Sequence, residues 1–581
     1  MTDQAPARPD TSLSAVRTDA PPHAAELPPT RVAPADHPFS PKAAAPHTDR
    51  FAPPAPPNVP AEPVPGCETV TLTIDGASVT VRKGTNVLEA AKLLGKDISH
   101  FCYHPGLSVA ASCRQCLVEI EKAPKLTPSC QAIVADGMVV HTESPRVQEA
   151  RRQMLEFTLK NHPIDCPICD KAGECILQRH YMDHDHRLSR VDVPKVRKAK
   201  HKDIGREIVL DQERCILCSR CVRFCEEIPK TAELGMMFRG DREVLDIDEG
   251  RRLDNPYSMN VVDICPVGAL TAKDFRFKSR VWELHATPTT CNGCATGCAV
   301  ELHHKQTRPY RVVPRLDPDV NSYWMCDHGR MIYKELDPAL RVEHAVVDGE
   351  PAPLSEAIAE AARRLSGKRC AVVFSAVETT EANLALAEVA RRLDATAFLA
   401  RRPEGEGDDL LRDVDANPNL RGARLAAPDA SDHMDQLALE IAGAAYEGVI
   451  FLGGLAPLSD VARARLGSLA SVCITDRRSS LSEACAITLP AASWAEIVGS
   501  YINRQDRLRV IRPAFGPLAD RRHPADLLHH LSLALGAEDA PDARALARKM
   551  AETYDSDELR RLLDAAEDVR PPLLRWAHMR G

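Results

Sequence analysis

The chain has 581 residues, 20 of them cysteine, with a net charge of -8 and a sequence pI near 6.3. That length allows several domains, each with a core of its own, and that charge gives no reason to expect nucleic-acid binding. No apolar run approaches the ~20 residues that span a bilayer, and the opening MTDQAPARPD has neither the charged nor the apolar region of a secretory signal. The cysteines therefore point to metal ligation in a reducing compartment rather than to disulfides.

Residues 1–66 hold 17 of the 45 prolines, many alanines and almost no aromatics. Such a segment cannot bury enough apolar surface to offset its ordering entropy, so a disordered tail without catalytic role is expected there. Residues 67–145 begin with alternating apolar and polar residues from Val70 to Gly84 around Asp75 and Gly76, a β-hairpin pattern. Asn86 is placed to cap a short helix from Val87 to Leu94 that stops at Gly95. With return strands at Cys116–Ile120 and Met138–His141, this predicts a β-grasp ferredoxin.

Inside it, Cys102, Cys113, Cys116 and Cys130 form the first ligand set, C-x10-C-x2-C-x13-C. The loop is rich in small residues, Gly106, Ala110, Ala111 and Ser112, which let backbone N–H groups approach sulfur and help to set potential. The spacing is longer than the plant-type run and nearer the longer-loop [2Fe-2S] ferredoxins. A four-cysteine zinc site is the alternative, although such sites usually pair two short knuckles.

Residues 146–190 start with a helix that Ser144 can cap and Pro145 can open, with Val147, Ala150, Met154, Leu155 and Thr158 on one face. The second set follows: His162, Cys166, Cys169 and Cys175, H-x3-C-x2-C-x5-C. Alone it would suit structural zinc equally well; its neighbours favour a [4Fe-4S] cluster whose neutral imidazole raises the potential relative to an all-thiolate site. His141, His180, His184 and His186 lack the spacing and read as surface residues.

Residues 191–283 open with a basic run, Lys195 to Lys202, read as a solvated linker. The third set begins Cys215-x2-Cys218-x2-Cys221-x3-Cys225, and a distant Cys265-Pro266 closes it. In two-cluster ferredoxins the fourth cysteine of such a run serves the other cluster. Here residues 251–264 hold no cysteines to build that cluster. Cys215, Cys218, Cys221 and Cys265 are thus assigned to one [4Fe-4S] cluster, and Cys225 is read as a buried thiol. Residues 284–345 carry the fourth set, Cys291, Cys294, Cys298 and Cys326, C-x2-C-x3-C-x27-C, again suited to a [4Fe-4S] cluster with zinc as the alternative. Cys67, Cys370, Cys473 and Cys485 are left dispersed, so a fifth cluster is not expected.

Residues 346–581 change character. Strand-like runs at 370–375 and 448–453 alternate with helical ones at 382–393 and 525–535, the pattern of an α/β domain with a parallel sheet. There is no GxGxxG and no GxxxxGK[ST], hence no dinucleotide or Walker site. Gly453-Gly454 reads as a strand-end turn.

Four such sets in this order, with SRCVRFCE (219–226), NHPIDCPICDKAGEC (161–175) and VVDICPVGAL (261–270), resemble the large iron-sulfur subunit, the G-type subunit, of bacterial NADH:quinone oxidoreductases (respiratory complex I). The resemblance is strong from Glu68 to Leu336. TPTTCNGCATGC (287–298), WMCDHGR (324–330) and LPAASWAE (489–496), with Asn503 and Arg507, are similar to molybdopterin oxidoreductases, in a much shortened form. The fold class expected is multidomain α+β: β-grasp domain, His-ligated and ferredoxin-like [4Fe-4S] segments, then a molybdopterin-oxidoreductase-like α/β domain.

The resemblance implies one [2Fe-2S] and three [4Fe-4S] clusters, no flavin or molybdopterin, and no catalytic residue in this chain. It also implies electron flow from a flavin/NADH-binding subunit through the first, third and second sets toward quinone, with the fourth set off that route. A two-cluster ferredoxin-like subunit and other peripheral-arm subunits would be the partners, on the cytoplasmic side of the inner membrane, to which they would attach the chain. Cys370 and Cys473 are the candidates by position for a molybdenum ligand, but both sit in or beside apolar runs as core thiols would. The alternatives are the α subunit of an NAD-linked formate dehydrogenase-like molybdenum or tungsten enzyme, and a metal-stapled scaffold.

Overall fold

The computed structural model describes residue 58 and residues 60–184 and 188–565. Most of the expected tail, and His186, lie outside these. At the tail's described end Asn58 donates to the carbonyls of Pro105 and Leu107 at 2.8 and 2.9 Å, and Ala61 is buried. The chain thus packs on the first domain before residue 67.

That domain is a five-stranded sheet. Strands β1 (Thr69–Ile74) and β2 (Ala77–Arg82) form the expected hairpin. Asp75 and Gly76 both have positive φ, 46° and 82°, the backbone a two-residue turn needs to match strand twist. Helix α1 (Val87–Leu93) starts where the Asn86 side chain accepts the Glu89 N–H. Then come β3 (Leu117–Ile120), β4 (Thr127–Pro128) and β5 (Val139–His141), and the sheet order is β2-β1-β5-β3-β4. Val87, Leu88, Ala90 and Ala91 of α1 lie on Leu72, Ile74, Val118 and Val140, the inward residues of the sheet.

Helix α2 (Pro145–Leu159) is capped by Ser144, whose Oγ accepts the Val147 N–H at 3.3 Å. It buries Val147 and Leu155 as expected but also Arg151, whose guanidinium reaches Glu143 at 2.9 Å. Helix α3 (Ile176–His184) packs back on it. Next, β6 (Lys202–Asp203), β7 (Ile208–Leu210) and the later β10 (Leu270–Ala272) make a small sheet beside α4 (Arg220–Glu227), the β8–β9 hairpin (Leu234–Met237, Val244–Ile247) and α5 (Asn260–Ile264). The three antiparallel strands β11 (His285–Thr290), β12 (Ala299–Lys305) and β13 (Arg308–Pro314) follow, then the short α6 (Asp327–Arg330).

The carboxyl-terminal region holds β14 (Ala345–Val347), β15 (Glu350–Ala352), α7 (Leu354–Leu365), β16 (Cys370–Ser375), α8 (Thr380–Arg392), β17 (Thr396–Ala400), α9 (Leu420–Ala426), α10 (Met434–Ala442), β18 (Gly448–Leu452), α11 (Asp460–Arg465), β19 (Ala470–Thr475), α12 (Ser480–Ala484) and β20 (Ile487–Pro490). The hairpin β21–β22 (Gly499–Ile502, Leu508–Ile511) and helices α13 (Pro524–Ala534), α14 (Ala543–Thr553) and α15 (Asp557–Asp564) end the described chain. Sheet order is β15-β14-β20-β19-β18-β16-β17, the last five parallel. Alternate residues of one strand face opposite layers: Val372 and Phe374 pack with α7, α8 and α13, and Ala371 and Val373 with α10 and α11. The protein is therefore mixed α and β, and its last domain is an α/β layer fold.

Candidate metal centres

Set one lies in the loops between α1 and β4 and just after it. Cys102, Cys116 and Cys130 are buried and Cys113 half-buried. Ala111 and Arg114 adopt left-handed backbone, φ 50° and 55°, which L-residues hold at a cost and which clusters at functional loops. The Phe101 N–H reaches Cys113 Sγ at 3.4 Å. The sulfurs meet as two pairs: the hydrogen bond from Cys113 draws Cys102 down to about 5, and that from Cys130 draws Cys116 down to about 7, while burial opposes both. Two thiol pairs are what two irons sharing four thiolates require. Gly106 serves a different contact than expected, since a Cβ there would come within 2.7 Å of the Tyr323 ring and 2.9 Å of Trp324.

Set two surrounds a single 3-10 turn, Cys166–Ile168, which brings the Cys169 N–H to the Cys166 carbonyl at 3.1 Å. His162 Nδ1 is buried and has no hydrogen-bond partner among the described residues; burial pulls the imidazole down to about 4, so it is neutral and keeps a lone pair to donate. A Cβ on Gly268 would overlap Cys169 Sγ, so only glycine fits there.

Set three is built by the turn before α4 and the end of α5. Leu217 and Ser219 are left-handed, φ 55° and 59°, and the Leu217 N–H points to Cys215 Sγ at 3.4 Å. Cys215, Cys218, Cys221 and Cys265 line one small cavity, whose other walls include Ser219, Arg220 and Pro266. Cys225 does not line that cavity; it is buried, and burial pushes its thiol up.

In set four, Cys291, Cys294, Cys298 and Cys326 stand around a cavity of about 300 Å³. Its walls include Gly293, Gly297 and Gly329. The Gly293 N–H donates to Cys291 Sγ at 3.4 Å and the Gly329 N–H to Cys326 Sγ at 3.3 Å. A Cβ on Gly329 would intrude to 3.2 Å from Cys291 Sγ. The four thiols of this set stand around one shared space. The donor sets and this cradle fit iron-sulfur clusters.

Three sets touch one another. The Ile176 N–H, next to Cys175, donates to the carbonyl of Pro266, next to Cys265, at 2.9 Å. Arg214, before Cys215, grips Asp165, before Cys166, through Nε at 3.1 Å and Nη2 at 2.7 Å. Arg223 on α4 donates to the carbonyls of both Cys102 and Cys218. Arg214, Arg223 and Gly268 were missed in the sequence, although each lies within three residues of a ligand.

One sequence expectation needs correction. His180 is not a surface residue: α3 turns it inward, where its Nε2 accepts the His100 N–H at 3.1 Å and its ring meets Phe101. His141 and His184 are half-buried. The basic run is mostly exposed, as expected of a solvated linker, and is also tethered: Lys195 donates to the carbonyls of Leu159 and Lys160, Lys200 pairs with Glu213 at 2.7 Å and Lys202 with Asp246 at 2.6 Å. Cys370, Cys473 and Cys485 are buried, and the sulfurs of the last two touch, while Cys67 is half-buried. Among the described residues no helix is long and apolar enough to cross a membrane.

Four domain families match. "2Fe-2S iron-sulfur cluster binding domain" covers residues 67–145, "NADH-ubiquinone oxidoreductase-G iron-sulfur binding region" 151–190, "NADH-quinone oxidoreductase subunit 3, ferredoxin-like domain" 205–271 and "Molybdopterin oxidoreductase Fe4S4 domain" 284–338. The G-type subunit of the NADH-quinone oxidoreductase of Streptomyces coelicolor is 39% identical over 60% of this chain and 43% of its own length. That of Rickettsia felis is 36% identical over 59% of this chain and 52% of its own. The mitochondrial NADH dehydrogenase [ubiquinone] iron-sulfur protein 1 of Solanum tuberosum is 41% identical over 47% of this chain and 38% of its own. The chain thus spans about half the length, or less, of the curated relatives it matches. A chain from the crystal structure of an NAD+-reducing [NiFe]-hydrogenase in the H2-reduced state is 31% identical, covering 36% of this chain and 91% of that one, but its TM-score of 0.34 is too low to speak for the fold. Over about 350 to 360 residues the chain, which carries 2Fe-2S and 4Fe-4S binding domains between residues 67 and 338, is homologous to the G-type subunits of NADH-quinone oxidoreductases.

Proposed function

We propose that this chain is the iron-sulfur electron-transfer subunit of an NADH-quinone oxidoreductase, with no substrate site of its own. Cys102, Cys113, Cys116 and Cys130 would hold one [2Fe-2S] cluster. Three [4Fe-4S] clusters would be held by His162 with Cys166, Cys169 and Cys175, by Cys215, Cys218, Cys221 and Cys265, and by Cys291, Cys294, Cys298 and Cys326. When bound, the clusters supply one-electron chemistry at potentials set by cluster type, charge and hydrogen bonding. The chain's own part is to fix the ligand sets against one another, exclude water and aim N–H groups at sulfur.

The observation that carries this reading is the direct contact between sets, from Cys102 through Arg223 to Cys218, and from Cys265 through Pro266 and Ile176 to Cys175. A molecule that only stapled its domains with metal would have no need to place its ligand sets in series. Electrons would enter from a flavin/NADH-binding subunit and leave toward quinone through a two-cluster ferredoxin-like subunit. The chain would sit on the cytoplasmic side, peripheral to the membrane through those partners.

Metal analysis of anaerobically purified protein tests the reading. About 14 iron atoms per chain (2+4+4+4) and no other metal are expected. One molybdenum or tungsten would replace it with a dehydrogenase, and one zinc with iron near 10 would make one site structural.

A further inference from the structure

The space between set one and set three holds two buried arginines, one helical turn apart on α4. Arg223 uses its whole guanidinium. One Nη donates to the Cys102 carbonyl at 2.5 Å and the Cys218 carbonyl at 3.4 Å, the other to the Ser108 carbonyl, and Nε to Ser219 Oγ at 3.2 Å. Arg220 donates to the Ile264 carbonyl at 3.2 Å and to the Tyr103 carbonyl. Every one of these acceptors is a neutral oxygen. Among the described residues neither arginine has a carboxylate within ion-pair distance, and Arg220 borders the cavity that Cys215, Cys218, Cys221 and Cys265 line.

The space between set three and set two is built differently. There Arg214 is held by Asp165 at 2.7 Å and Asp211 at 3.4 Å, and Lys171 lies 3.5 Å from Glu174, which itself grips Arg311 at 2.6 Å. Arg214, Lys171 and Arg311 each have a carboxylate to answer them. Burying an ion without a partner is costly, and proteins pair, neutralise or metal-bind such groups. Two guanidinium groups cannot shed their charge, so the first space must receive negative charge from something it holds. Thiolate-ligated clusters are net negative, and more so once reduced, and net charge is one of the levers on cluster potential.

We infer that Arg220 and Arg223 are the counter-charge of the clusters held by sets one and three, and that they raise the potentials of those two clusters together. Arg223 also positions them, since its one planar fork reaches a ligand carbonyl on each side, which lysine cannot reproduce. These are positioning residues, acting through the ligands. The inference rests on the cluster assignment proposed above.

The test is a potentiometric titration of the complete complex, followed by EPR, in wild type, R223Q and R223K. R223Q should shift the midpoints of the [2Fe-2S] cluster and the set-three cluster downward together, leaving the His162-ligated cluster where it was. R223K keeps the charge but not the fork, so its two midpoints should fall by clearly less than in R223Q. Unmoved midpoints in a fully loaded R223Q, or an equal shift in R223K, would overturn the inference and leave the electron-transfer reading intact. A wild type without the [2Fe-2S] signal would overturn that reading and the inference with it. Should R223Q fail to assemble, R220Q decides: it leaves Cys102 and Cys218 bridged by Arg223, and must still lower the same two midpoints.

Discussion

Between residues 345 and 535 the sheet's interior is built on aliphatic and aromatic side chains: Val372, Phe374, Leu386, Ile450, Leu452 and Ile474 meet across a parallel sheet and its helices, with Glu381, Glu496 and Arg521 buried at its margins. Between residues 97 and 336 the interior positions are shared with thiols and ions instead. Cys102, Cys175, Cys218, Cys221, Cys265 and Cys326 sit among its buried apolar residues, and Arg151, Arg220, Arg223, Lys171 and Arg330 are buried with them. The first half therefore gives core volume over to ligands. What those ligands hold therefore bears on its stability alongside the apolar area it buries, whereas the second half relies on area removed from water.

Removing the metal should break this contrast most visibly. Chelation under reducing conditions is expected to expose residues 100–330 to hydrogen exchange and proteolysis while strands β16, β18 and β19 stay protected; equal protection of both halves would refute it. A smaller lesion of the same half is Gly268→Ala. Its methyl would take the place of Cys169 Sγ, so iron content should fall by about four atoms per chain and the His-ligated cluster's EPR signal should vanish while the [2Fe-2S] signal remains.

In the second half, Leu386→Ala on α8 empties a fully buried site and should cost about 2–5 kcal/mol in denaturant unfolding, with iron content unchanged. Glu378 probes the same half by pH. Burial and the neighbouring Asp476 push its carboxyl up to about 8, against the opposing pull of Arg477, Arg341 and Arg402. The unfolded chain ionises from about 4.5. Stability is therefore full below that value and falls as pH rises through this window. Glu378→Gln should abolish that fall, leaving the variant more stable at pH 8 by on the order of 1 kcal/mol; parallel pH profiles would count against it. The smallest effect is expected from Lys368→Ala, which removes an exposed pair with Glu447 and should change stability by less than about 0.5 kcal/mol.

Much of the first half was legible because its signals are local. The Asp75-Gly76 turn, the Asn86 and Ser144 caps and the spacing of each cysteine set involve residues a few positions apart, where backbone geometry alone decides what can meet. The alternation of strand and helix from Cys370 onward announced the parallel sheet in the same way. What remained hidden is what fills the space between segments. Arg223 meets Cys102 across 121 positions, Arg214 meets Asp165 across 49, His180 meets His100 across 80, and Gly268 is required by a sulfur nearly a hundred residues earlier. A buried arginine, an inward histidine and an ordinary glycine have no periodicity to betray them. Ligand chemistry and the local frame of each site can be read from the order of residues alone, because both depend on near neighbours. The order in which sets touch, and the charges placed between them, arose only when long loops closed and brought distant segments into one interior.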